Sequence, residues 1–134
     1  MEKKTLAFGI AAGLLGGGIL ISISELALPL GYIGGNLLIL TCIILVFSSA
    51  KLYCYFDKRR TTFWQRVTIG SLTYIFTILV YTLKQIINGS FNLHQNSVEY
   101  LVVISIHIAF AFLLSVIISA CLRNGNPERE NNYT

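Results

Sequence analysis

Four long stretches without a charged side chain dominate the chain: Thr5 to Ser24, Leu26 to Ala50, Val67 to Leu83 and Tyr100 to Leu122. A helix rises about 1.5 Å per residue, so about 20 mostly apolar residues cross about 30 Å of hydrocarbon. Each stretch reaches or nearly reaches that length, and Trp64 and Gln65 can extend the third. Backbone amides in lipid find no water, so a crossing segment must close its own hydrogen bonds as a helix. The pattern predicts spans over 5–24, 28–50, 65–84 and 100–122, within one domain over 1–123. Between them lie short polar links. Pro29 suits the first turn of the second helix, residues 51–62 are basic and aromatic, and residues 84–97 hold the turn pair Asn88-Gly89. Short links make consecutive helices antiparallel neighbours. The expected fold is therefore all-α, an integral membrane four-helix bundle running up-down-up-down. The polar tail at 124–134 is expected to be disordered.

Composition agrees with that pattern. Charged residues make up 12% and hydrophobic ones 54%, with a mean hydropathy of +0.69, whereas a soluble domain carries about 25% charged residues. Disordered, collagenous and disulfide-scaffold classes are excluded. Lys3, Lys4 and the Ser22-Ile23-Ser24 triplet give the first span some likeness to a secretory signal. Its apolar run is longer than a signal core and carries regular glycines, so it is expected to remain as a span.

Charge sets an expected orientation. Lys3, Lys4, Lys51, Lys58, Arg59, Arg60, Arg66, Arg123 and Arg129 fall on one side, and only Lys84 on the other. Positive residues stay cytoplasmic, so both termini and the middle loop are expected there. This places the chain in a cell membrane, with a bacterial inner membrane the expected one. Lys58, Arg59 and Arg60 are candidates for binding anionic lipid head groups. Nucleic acid is not an expected partner, since no binding fold accompanies the cluster. Tyr53, Tyr55, Phe56, Phe63 and Trp64 bracket the same loop as an interfacial belt, with Tyr32 and Tyr100 near the opposite face.

Small residues recur at helical spacing. Gly9, Gly13 and Gly17 form two overlapping GxxxG steps, and Gly31 and Gly35 form another. Steps of four return to one helix face, and missing side chains let backbones close. The first two spans are expected to form a hairpin through these grooves, a glycine zipper; a homodimer seam is the alternative. Gly13→Leu separates the two, since an internal groove would lose its fold and a seam only its oligomer. Gly70, Tyr74, Thr77, Tyr81 and Lys84 share a face of the third span, and Val103, His107, Ala111, Ser115 and Ser119 a face of the fourth. Gly70, Ala111 and Ser115 are thus candidate packing positions, and all four spans offer a small or polar face to a common interior.

Candidate chemistry is sparse. His107 is the one His, Asp, Glu, Lys or Arg well inside a span, and Asn36 lies at similar depth. With Tyr74 and Tyr81 they are candidates for a polar interior, as part of a proton or substrate path. The plainer reading, a neutral imidazole bonded to a serine, a tyrosine or a backbone carbonyl, is the favoured one for His107. Glu25, Lys84 and Glu99 could surround a mouth above them, or merely mark helix ends. Cys42, Cys54 and Cys121 have no metal-ligand spacing, and lipidation of Cys54 or Cys121 is weakly signalled. Asn88-Gly89-Ser90 matches a glycosylation sequon. No phosphate-binding loop, zinc-protease, nucleophile-elbow or dinucleotide motif appears, so neither a cofactor nor an enzyme activity is expected.

The order of segments carries a resemblance. MEKKTLAFGIAAGLLGG is followed by GYIGGNLLILTCIILVFSSAKLYCY, TTFWQRVTIGSLTYIFTILVY and FLLSVIISACLRN. This resembles a domain-of-unknown-function family of small four-span bacterial membrane proteins common in Bacteroidetes. The matching positions are Gly31, Tyr32, Lys51, Tyr53, Phe63, Gly70 and Arg123. The resemblance implies the same fold and topology and brings no catalytic residue. Three readings of function stay open. The first is a structural or accessory subunit without enzymatic activity, packed against the same or another membrane protein. The second is an oligomeric small transporter or channel around His107 and Asn36. Small multidrug exporters are similar in layout, but they carry an acidic residue within the first span and this chain does not. The third, suggested faintly by the Asn36-Leu37-Leu38 opening of the second span, is accessory handling of lipid-linked sugars.

Overall fold

The computed structural model describes residues 3–57, 61–89 and 97–124. Four helices make up the fold: α1 (Lys3–Ala27), α2 (Tyr32–Phe56), α3 (Phe63–Ile87) and α4 (Ser97–Asn124). Each is long and apolar enough to cross a membrane, and each overruns its sequence-predicted span by a few residues at most ends. The predicted tail beyond Asn124 lies outside the described residues.

The helix ends follow local chemistry. α3 opens on a capping box. The Thr62 hydroxyl accepts from the Gln65 amide at 3.2 Å, and the Thr62 amide donates to Gln65 Oε1 at 2.8 Å, so two orphan donors are satisfied at once. Pro29 does not open α2. It sits in a 3₁₀ turn, Leu28–Leu30, and α2 starts beyond Gly31. Gly31 has φ +55° and ψ −121°, a conformation that only glycine adopts without strain. That residue reverses the chain between α1 and α2. Asn88 closes α3, with Gly89 following at φ +69°; Ser90, the third sequon residue, lies outside the described residues.

Helix α3 is the centre of the bundle, in contact with α1, α2 and α4. Leu20, Cys42, Val46, Ala50, Tyr74, Ala111 and Ile118 form the apolar core between them. Thr5 pairs with Tyr53 at one end, here the near end, and Glu25 pairs with Lys84 at the other, the far end. The start of α1, the end of α2, the start of α3 and the end of α4 therefore share the near end. Large apolar side chains cover the outside. Leu15 is 73% exposed, and the α4 residues 101–110 are all exposed except His107. A water-facing monomer does not carry such a surface, whereas hydrocarbon covers it without cost. The chain has the architecture of a multi-pass membrane protein.

The glycines of α1 work differently from expectation. A Cβ on Gly9 would meet Leu72, one on Gly13 would meet Phe76, and one on Gly17 would meet Val80, all on α3. The glycine groove seats α3 and not α2, so the expected zipper between the first two spans is corrected. The reason is packing volume, since α3 presents bulky Leu72, Phe76 and Val80 that need room. Gly31 and Gly35 are no groove either, because nothing lies within 4 Å of a Cβ at either position. Gly34 makes the close approach instead, 2.2 Å from its Cβ position to the Ala27 carbonyl oxygen. Gly70 meets Ser115 of α4 and Val46 of α2, and Ala111 and Ser115 are each 1% exposed.

Candidate functional site

The most polar point inside the bundle joins α3 and α4. Tyr74 is 5% exposed, and its hydroxyl lies 3.0 Å from His107 Nδ1. When Tyr74 donates, the imidazole proton sits on Nε2. Phe110 packs tilted on the Tyr74 ring, with centroids 5.7 Å apart. His107 is half-buried. The expected alternative for this histidine, a neutral ring held by a neighbouring hydroxyl, has its partner in Tyr74.

Several other interior polar groups bridge helices or bond their own backbone. Thr5 and Tyr53 share a buried hydrogen bond of 3.0 Å between α1 and α2. Phe8 stacks edge-on against the same Tyr53 ring at 5.2 Å. The Thr77 hydroxyl donates to the Gly13 carbonyl at 3.2 Å across α1 and α3, and Ser115 donates to Ala111 O at 2.7 Å within α4. The buried hydroxyls of Thr73 and Ser119 have no partner.

No family model, curated protein or solved structure matches the chain.

The sequence grouped Asn36 with Tyr74, Tyr81 and His107, and the structure separates it from them. Asn36 is exposed on α2 and makes no side-chain hydrogen bond among the described residues. Its position explains this. Gly34, Leu38 and Cys42 turn inward on α2, and a residue two positions from Gly34 points roughly 160° away. Tyr81 is half-buried and lines a cleft of about 200 Å³ at the far end, with Ser24, Ala27, Gly31, Gly34, Gly35 and Leu38. It does not join the Tyr74–His107 pair. No polar interior connecting all four positions forms.

At the mouth, Lys84 Nζ donates to Glu25 Oε1 at 2.6 Å, with the two side chains 22% and 64% exposed. The pair ties the end of α1 to that of α3, and Glu99 is exposed without joining it. Lys58, Arg59 and Arg60 lie outside the described residues. Nearby, Arg66 Nη1 donates to Thr61 O at 3.1 Å, and Cys54 Sγ lies 3.3 Å from Thr61 Oγ1. The three cysteines are free, and no group of three or more His, Cys, Asp or Glu able to hold a metal occurs among the described residues. Sequence reasoning missed the Thr5–Tyr53 bridge and the capping box. Only the second had a local signal, Thr62-x-x-Gln65.

Proposed function

We propose that this chain is a small multi-pass protein of a bacterial inner membrane, without enzymatic activity, acting as a structural or accessory subunit. The observation that carries the reading is where its polar groups go. Thr5, Tyr53, Tyr74, Thr77 and His107 are engaged in bonds between helices, which fix the bundle and leave little to line a path. The unbonded Asn36 faces outward instead, as suits a protein that meets others in the bilayer. The bacterial assignment rests only on the resemblance of the segment order to small four-span bacterial membrane proteins. The basic middle loop supports a cytoplasmic near end with anionic lipid head groups beside it.

A transporter is the second reading, and the half-buried His107 favours it, because a titratable ring within a span suits a proton relay. One comparison separates the two. Extraction in mild detergent followed by mass spectrometry is expected to recover a membrane partner, while vesicles holding the purified chain show no proton- or substrate-coupled flux. Flux that disappears with His107→Ala would replace the accessory reading by the transporter.

A further inference from the structure

The far half of α4 stands off from the bundle. The residues that α4 gives to the apolar core are Ala111 and Ile118, with Leu114 and Leu122 packed beside them, all in its near half. From Val98 to Phe110, about 20 Å of helix, every described side chain is exposed except that of His107. Tyr74 of α3 meets this half twice. Its hydroxyl lies 3.0 Å from His107 Nδ1, and its ring centroid lies 5.7 Å from that of Phe110. His107 is six residues inside the apolar span that starts at Leu101, so about 9 Å deep. The titratable neighbours are Tyr74 itself and Cys42 of α2, which shares a core cluster with it, and Tyr81 follows two turns along α3. No helix offers a counter-charge, because the stretches 5–24, 26–50, 67–83 and 100–122 contain no Asp, Glu, Lys or Arg. Glu99, on α4 itself, is eight residues away, about 12 Å along the axis.

We propose that the bond between His107 and Tyr74 is a pH-sensitive latch on the far half of α4. In the neutral ring Nδ1 accepts the Tyr74 proton, and Nε2 carries the ring's own. An added proton goes to Nδ1, the nitrogen with a free pair, and the acceptor is lost. Reversing the bond, with Nδ1 donating to the phenol oxygen, turns the phenol proton into an apolar core and leaves a cation without a carboxylate. A charge in hydrocarbon without a partner is costly. The ring relieves that cost by turning to the far interface, as long polar side chains near helix ends do. No other described side chain between Val98 and Phe110 is buried to hold this half in place, so it swings with the ring. The latch is therefore closed while His107 is neutral and opens as the pH falls through its titration. Histidine is the side chain whose ordinary charge change lies between about pH 5 and 8. The latch goes beyond the accessory reading and does not rest on it, since its test involves neither a partner nor flux.

The test follows the distance between two nitroxide labels on the full chain in vesicles, with Cys54→Ser and Cys121→Ser and the buried Cys42 kept. The labels sit on Leu15→Cys of α1 and Val103→Cys of α4, positions 73% and 49% exposed. With a pivot at Ala111, a tilt of about 15° carries position 103 about 3 Å outward. The dipolar distance is expected to lengthen by about that much between about pH 8 and about pH 5, and to recover when the pH is raised. His107→Gln keeps an acceptor for Tyr74 and cannot take a charge, and His107→Phe keeps a ring in the same place. Both are expected to hold the closed distance at either pH, with helical content unchanged by circular dichroism. Glu99→Gln is expected to keep the lengthening, since that carboxylate has no part in the latch. A parent distance that ignores pH, a lengthening that survives in a folded His107 variant, or one that disappears with Glu99→Gln would each overturn the proposal.

Discussion

Gly13→Ala adds one methyl group at the tightest point between α1 and α3. That carbon would sit 2.4 Å from Phe76 Cβ, 3.0 Å from Thr73 O and 3.2 Å from Leu72 O. Carbon atoms rest about 3.5–4.0 Å apart, and two of the three obstacles are backbone, which no rotamer change removes. The helices must part by about 1 Å. Forced overpacking of this kind costs about 1–3 kcal/mol. Parting also stretches the Thr77 bond to Gly13 O from its 3.2 Å, which removes about 1 kcal/mol. Alanine returns about 1 kcal/mol through helix propensity. The net expectation is a loss of about 2 kcal/mol. Gly18→Ala supplies the control. Nothing lies within 4 Å of its Cβ position, so only the propensity gain of about 1 kcal/mol remains. The two variants, one turn and a little apart on α1, should shift stability in opposite directions. Unfolding of the detergent-solubilised chain by SDS titration, followed by circular dichroism, reads both. Shifts of the same sign and similar size would refute the placement of α3 in this groove.

Four further expectations follow from the same packing. Thr73→Val replaces a buried hydroxyl that has no partner and should be neutral or stabilising by up to about 1 kcal/mol, whereas Thr77→Val should cost about 1 kcal/mol; the same titration ranks them. Thr5→Val and Tyr53→Phe each break the buried bond between α1 and α2, and a double-mutant cycle should return a coupling of about 1 kcal/mol. Glu25→Gln should change stability by less than about 1 kcal/mol and by less still at high salt, since the 64%-exposed carboxylate is well solvated. Because the start of α1 and the end of α4 share the near end, tags on the two termini should be reached by a protease from one side of a sealed vesicle and not from the other.

The spans were legible in the sequence because hydrocarbon thickness and the backbone's need for internal hydrogen bonds act on each helix separately. No knowledge of neighbours is needed to read Leu26 to Ala50 as a crossing. The inward faces of α3 and α4 were legible for a similar reason. Gly70, Tyr74 and Thr77 recur at helical steps, as do Ala111, Ser115 and Ser119, and all six are buried. Asn36 was not legible as an outward residue. Depth along a helix can be counted from its ends, but azimuth follows from which residues pack. On α2 the inward set includes Cys42, Val46 and Ala50, which carry no stronger apolar signal than their lipid-facing neighbours.

Which partner a small-residue face meets was illegible for a deeper reason. In water, a helix face that must be buried is marked by being more apolar than the rest. In lipid that contrast vanishes, because the surrounding chains are as apolar as leucine. What remains is size, and size recurs on more than one face of α1. Gly9, Gly13 and Gly17 face α3, while Ala7, Ala11, Gly18 and Ser22 hold the same kind of spacing and are exposed. Periodicity alone treats the two faces alike. The distinction lies on the opposing helix, where Leu72, Phe76 and Val80 project at steps of four and need a surface without side chains. A groove is therefore read correctly only together with the ridge that fills it. The pairing of α1 with α3 follows from that match of three bulky residues to three absent ones, although the tight turn at Gly31 makes α2 the nearer helix along the chain.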